Sequence, residues 1–250
     1  MGVYFFWFMV YSIFGWIYES ILCSLRERRL INRGFLNGPY CPIYGFGAII
    51  DIFFLGKLEN PISIFLLGAL LACSLEYFTS WAMEKLFHAR WWDYSSRRFN
   101  IKGRICLLGA VVFGMFAVVL LKVVHPVVYE YTYRIEKSRL NIISTALFLI
   151  FFFDTIYTIT KLSKFEEKLK ELTYLMNNLI SGNNGYRRLI LEKIKDIESY
   201  GEDKLARINI LKKLNFQERR ILKAFPKLKS LRYNETLQKI REFMASTNKK

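Results

Sequence analysis

Residues 104–124 read RICLLGAVVFGMFAVVLLKVV, with no charged side chain between Arg104 and Lys122. As a helix this stretch rises about 30 Å, the thickness of a bilayer's hydrocarbon core. It decides the fold class, because a helix on a soluble core keeps one polar face. Working outward, apolar runs of similar length fall at about 3–24, 62–83 and 140–160. A fifth run, 40–58, is less purely apolar: Pro39 and Pro42 mark its entry, and Gly45, Gly47 and Asp51 lie within it. It reads either as a crossing or as a re-entrant segment. The 250-residue chain is 53% apolar, 17% aromatic and 23% charged, with mean hydropathy +0.18. Such a composition, gathered into runs, excludes disorder, collagen, a disulfide scaffold and a soluble enzyme core. The predicted class is all-α, a polytopic membrane helix bundle over 1–160 with a helical C-terminal tail over 161–250.

Charge sets the predicted orientation. The loop 25–39 holds Arg26, Arg28, Arg29 and Arg33, and the loop 85–103 holds Lys85, Arg90, Arg97, Arg98 and Lys102. Both face the cytoplasm under the positive-inside rule, which requires 40–58 to cross. Five spans follow, N-terminus outside and tail inside, in a multi-pass protein of the cell membrane. The first span lacks a basic leader and a small-residue cleavage site, and Glu19 interrupts it, so it reads as an anchor. The net charge of +16 is concentrated beyond residue 130, where 25 Lys/Arg face 13 Asp/Glu. Beside membrane spans this favours contact with the lipid bilayer's anionic headgroups over nucleic acid.

The tail opens with an a/d rhythm at Leu162, Phe165, Leu169, Leu172, Met176 and Leu179, until Ser181-Gly182-Asn183-Asn184-Gly185 stops it. This coiled-coil-like seam serves either a homo-oligomer or packing against the tail's own helices. Amphipathic candidates follow at Ile190, Ile194 and Ile197, at Leu205, Ile208, Leu211 and Leu214, and, after Pro226, at Leu237, Ile240 and Phe243.

Acids inside the spans are the functional candidates: Glu19, Asp51, Glu76 and Asp154. Each costs about 2.5–3.5 kcal/mol at a helix centre on insertion scales, so each should face protein with a partner. Glu19, Glu76 and Asp154 all fall in the cytoplasmic half, on the side where Arg26, Arg33 and Arg104 are available. Glu19 and Glu76 read either as a polar site for substrate, ion or proton, or as buried pairs that fix packing. For Asp51 and Asp154 pairing is the favoured reading. Gly68, Ala72, Glu76 and Ser80 lie four apart, as do Ala110 and Gly114, spacing suited to close helix contact. Asn32 to Gly47 packs Gly, Pro, Asn37 and Arg33 before the marginal span, and reads as a tight turn or as backbone offered to a ligand. Phe87 to Tyr94, which holds Asp93, fits an interfacial aromatic belt.

No nucleotide-binding loop, kinase-like signature or catalytic constellation occurs, and no catalytic residue or cofactor is predicted. Cys23, Cys41, Cys73 and Cys106 fit no zinc or redox spacing, and His88 and His125 fall on opposite predicted sides, so no metal site is predicted. Free thiols are the ordinary reading; palmitoylation of the three boundary cysteines is the alternative.

Several blocks carry a resemblance: Tyr11-Ser12-Ile13-Phe14-Gly15-Trp16 with Glu19-Ser20; Asn32 to Gly47; Leu75-Glu76-Tyr77 through Trp91-Trp92-Asp93-Tyr94; and Phe99 to Cys106, closing at His125-Pro126. Together the chain resembles the putative ABC-transporter type IV permease family of bacterial membrane proteins over roughly 4–126. The resemblance implies a permease-like membrane subunit that transports a small solute or lipid-like molecule with a separate ATP-binding subunit. It marks Glu19, Arg33, Asn37, Glu76, Asp93 and Arg104 as motif members. Two other readings stand beside it. One is a non-transporting sensor or assembly scaffold acting through the tail. The other is a lipid-modifying enzyme with Glu19 or Asp93 as base and Arg33 or Arg104 holding phosphate, behind which no nucleophile or metal cluster stands.

Overall fold

The computed structural model describes residues 2–180 and 213–247. Helices α1 (Gly2–Glu27), α2 (Pro42–Leu55) and α3 (Pro61–Phe87) are followed by strands β1 (Ala89–Arg90), β2 (Asn100–Ile101) and β3 (Ile105–Cys106). Helix α4 (Leu107–Val119) runs through a π-turn (Leu120–Val124) into α5 (His125–Tyr133). Helix α6 (Lys137–Ser163) leads to α7 (Phe165–Ile180); then come α8 (Phe216–Ala224), β4 (Lys229–Ser230) and α9 (Asn234–Thr247). Among the described residues, four helical stretches are long and apolar enough to cross a membrane: Gly2–Glu27, Pro61–Phe87, Leu107–Tyr133 and Lys137–Asn177. The chain is an all-α membrane protein. Its tail candidates at 181–212 lie outside the described residues.

Local chemistry sets the breaks. Asn60 caps α3 by accepting from the Ile62 N–H at 2.9 Å, with Pro61 at the first helical position. Pro126 has no N–H to return to Lys122, and the helix widens there, the His125 N–H bonding to the Leu120 carbonyl across a π-turn. Close approach holds the helices together. A Cβ on Gly45 would strike Ser12 and Phe8 of α1, and one on Gly68 would strike Ala117, so α1 meets α2 and α3 meets α4 almost backbone to backbone.

Helix α2 is only 14 residues long, and the segment before it accounts for the difference. After Glu27 the chain turns back along α1. The Ile31 N–H donates to Ser24 Oγ at 3.0 Å, the Arg33 N–H to Ser20 Oγ at 3.2 Å and the Cys41 N–H to the Ser12 carbonyl at 2.8 Å. Ser12 lies about 22 Å along α1 from Glu27 at the helical rise, so α2 starts deep within the bundle. Irregular backbone at that depth needs protein partners for its polar groups, and serines spaced four apart on α1 supply two of them.

The tail folds on itself and onto the loops. Leu162, Phe165, Leu169, Leu172 and Met176 are buried with Leu214, Ile221, Leu222, Leu237 and Ile240, so the a/d seam is covered from within the chain. Strand β4 pairs antiparallel with β1, Ala89 opposite Ser230 and Arg90 opposite Lys229. Trp91, expected in an aromatic belt, lies instead in this core, its ring 4.9 Å from that of Phe225. The tail covers it, so its apolar area is removed from water by protein.

Candidate functional site

Three polar centres lie at the end of the bundle that meets the tail. The first is built on the descending segment. Arg33 Nε lies 3.6 Å from Glu19 Oε2, and the Tyr44 hydroxyl donates to Glu19 Oε1 at 2.8 Å. Gly15, where a Cβ would collide with the Tyr44 ring, lets that tyrosine lie flat on α1 and reach the acid one turn further on. Arg33 also donates to the Ala224 carbonyl, and its guanidinium stacks 4.1 Å over Phe225.

The second centre is Glu76, buried on α3. The Tyr94 hydroxyl donates to its Oε1 at 3.1 Å, while Oε2, close to Gly109 in the first turn of α4, has no hydrogen-bond partner among the described residues. Burial raises the Tyr94 phenol well above its usual range, and the Glu76 and Glu19 carboxylates raise it further, so both acids act on one hydroxyl. Geometry brings the two centres to the same stretch of α4: the Tyr44 ring lies 6.4 Å from that of Phe113, and Phe113 and Glu76 Oε2 both border Gly109.

The third centre is Asp154 on α6. Its Oδ1 accepts from the Asn37 N–H at 3.1 Å, Asn37 Nδ2 at 2.8 Å and the Thr158 hydroxyl at 3.2 Å; its Oδ2 accepts from the Gly38 N–H at 2.9 Å and the Tyr40 hydroxyl at 2.6 Å. An ionised acceptor with this many donors suits a structural anion. Asn37, a motif member, thus belongs with Asp154, which clamps the descending segment.

The other two motif residues lie elsewhere. Asp93 accepts from Lys229 Nζ at 2.7 Å, the Ser95 hydroxyl at 2.5 Å and the Ser95 N–H at 3.0 Å. These hold its carboxyl well below the usual range, the Lys229 hydrogen bond foremost. Arg104 donates to Glu84 Oε2 at 3.1 Å and lies 5.3 Å over Tyr77, rather than pairing with Glu19 or Glu76. Arg26 is exposed. No group of three or more His, Cys, Asp or Glu residues among those described could hold a metal ion.

Reading the sequence did not single out Tyr44, Arg220 or Lys229. Arg220 donates to the carbonyls of Gly34 at 2.8 Å and Phe35 at 2.5 Å, so α8 caps the same segment that Asp154 clamps. Nothing in local spacing marks an interaction across 186 residues. Tyr44 did carry a signal, since it stands within a run of glycines and prolines as the first hydroxyl of α2.

A family model described as putative ABC-transporter type IV matches residues 6–159, and the chain belongs to that family. No curated protein and no solved structure matches it. The match takes in Asp154 of α6 but ends before α7, α8 and α9, so the tail residues that hold the motif loops, Arg220 and Lys229 among them, lie beyond it.

Proposed function

We propose that this chain is the membrane subunit of a transporter that moves a small solute or lipid-like molecule past Glu19, Tyr44, Tyr94 and Glu76, with ATP bound by a separate protein. The observation that carries the reading is the buried Glu76 oxygen without a partner, beside the stretch of α4 that the tyrosine bonded to Glu19 also borders. An interior of this kind is poised to receive a polar group. Family membership supports the ATP-binding partner. Five crossings, counting α2 with its lead-in, put the N-terminus outside and the tail in the cytoplasm. The exposed Arg28, Arg29, Arg97, Arg98 and Lys102 at the tail-bearing end support that orientation. So few helices enclose little room, and a second copy or another membrane subunit completes the pathway.

A second reading, a sensor or scaffold acting through its tail, is favoured by one observation. Arg220, Lys229 and β4 all hold motif loops, so a partner that displaced the tail would be felt at Arg33 and Asp93. Purification from native cells in mild detergent, with identification of co-purifying proteins and an ATPase assay, separates the two. A stoichiometric ATP-binding partner whose hydrolysis falls several-fold with Glu76→Gln supports transport. A solitary protein without ATPase activity overturns that reading in favour of the second.

A further inference from the structure

Of the four acids placed inside the apolar runs, Glu19, Asp51, Glu76 and Asp154, three have partners among the described residues. Glu19 has Tyr44 and Arg33, Glu76 has Tyr94, and Asp154 has Asn37, Gly38, Tyr40 and Thr158. Asp51, midway along α2, is 7% exposed, and no hydrogen bond or ion pair from a described residue reaches it. Protein covers most of the side chain, with Ala48 and Leu55 about one turn to either side also buried, while neither carboxyl oxygen is fully sealed.

Three elements pack closely on α2, namely α1, α3 and the π-turn, and none of their charged or titratable groups bonds to Asp51. On α1 the Tyr11 hydroxyl lies 2.7 Å from His125 Nδ1, and Glu19 is taken up as described. Lys122 of the π-turn donates to the Leu58 carbonyl at 3.1 Å. On α3 Glu76 turns to Tyr94, and neither the Cys73 thiol nor Tyr77 hydrogen-bonds to Asp51. An unpaired carboxylate anion in such a place is among the costliest arrangements a protein can hold. Asp154 shows what this fold supplies when it keeps an anion at depth, and Asp51 has none of it.

We propose that Asp51 is a proton-binding site inside the membrane domain, its carboxyl group taking up one proton from water and returning it. One O–H bond forms on uptake and breaks on release, and nothing else changes covalently. The π-turn is a natural neighbour for such a site. There the regular backbone ladder of the long helix is interrupted, on the element whose Leu120 and Val124 pack against the cluster of Trp7, Tyr11 and Ala48. The inference does not rest on the transport reading, and its test involves no transported molecule.

The full chain in lipid bilayers is followed by infrared difference spectroscopy as pH is raised. A protonated-carboxyl C=O band should disappear with alkali and be missing from Asp51→Asn. Should that variant fail to fold, the wild-type chain is treated with an apolar carbodiimide, which reacts with protonated carboxyls, and the adduct is mapped by mass spectrometry. Asp51 should be labelled and Asp154 spared, with labelling of Asp51 falling about tenfold per pH unit on the alkaline side, as for a single proton. Absence of both band and adduct at Asp51 overturns the proposal. So does labelling that pH leaves unchanged, because the carboxyl would then be a fixed neutral packing group.

Discussion

Leu108 in α4 and Leu172 in α7 are the same side chain in two settings. Leu108 is 57% exposed and sits among Leu107, Val111, Met115 and Val119, all exposed, whereas Leu172 is sealed at 0% among the tail's leucines and isoleucines. In the long apolar helices, outward leucines meet lipid, which is as apolar as they are, so burial adds little and the helices are joined by close glycine contacts and polar clamps. The tail has no such solvent and must exclude water from its own core. The two regions are therefore held by different forces, and they meet where Arg33, Arg220 and Lys229 tie tail to loops.

Four substitutions sharpen that contrast. The largest effect should come from Asp154→Ala, which strips the acceptor from the buried N–H groups of Asn37 and Gly38 and from the Tyr40 hydroxyl. A loss on the order of 4 kcal/mol is expected. It is checked by thermal unfolding in detergent together with amide exchange over 32–41, and unchanged protection there would show that the clamp is dispensable. Next, Leu172→Ala should cost about 2–5 kcal/mol, confined to the tail, while Leu108→Ala in lipid should cost under about 0.5 kcal/mol. Equal losses would break the comparison. Arg220→Met removes charged donors from the Gly34 and Phe35 carbonyls, and about 1.5–3 kcal/mol should vanish from the tail's attachment, read as faster exchange of 32–38 with the tail core still protected.

The smallest effect is a response to acid. The Asp93 carboxyl is depressed in the folded chain by Lys229 and Ser95, so its contribution is complete above its unfolded value of about 3.9 and is lost as pH falls below that, toward the folded value. The junction of β1 with β4 should loosen on acidification below about pH 4, and Asp93→Asn should flatten that part of the titration, followed by Trp91 fluorescence. An identical acid response in the variant would remove Asp93 from the junction.

Much of this was open to reading. Unbroken apolar runs announce the long helices, and Gly68 four residues before Ala72 marks a contact face, which Ala117 fills. The acids at Glu19 and Glu76 stood out because charge is rare in such runs, and Arg33 as the partner of Glu19 was within the reach of spacing. Other pairings were not legible. Arg104 chose Glu84 over Glu76, and Asp93 found Lys229 far along the chain, since long side chains near a helix end have several neighbours within reach and packing selects among them. Asp154 reads from the sequence as one of a buried pair; its donors are backbone N–H, amide and hydroxyl groups, all but Thr158 from one loop, which no charge pattern foretells.

By itself, then, the sequence determined where the chain is apolar for long enough to cross a bilayer and which charges break that rule, because both follow from local composition and transfer cost. Tertiary structure alone decided that residues 31–41 return along α1, that the heptad seam is filled by the chain's own α8 and α9, and that Asp51 lacks the partners Asp154 enjoys. Those outcomes depend on which groups come within hydrogen-bonding distance across many intervening residues, and no periodicity in the sequence encodes that.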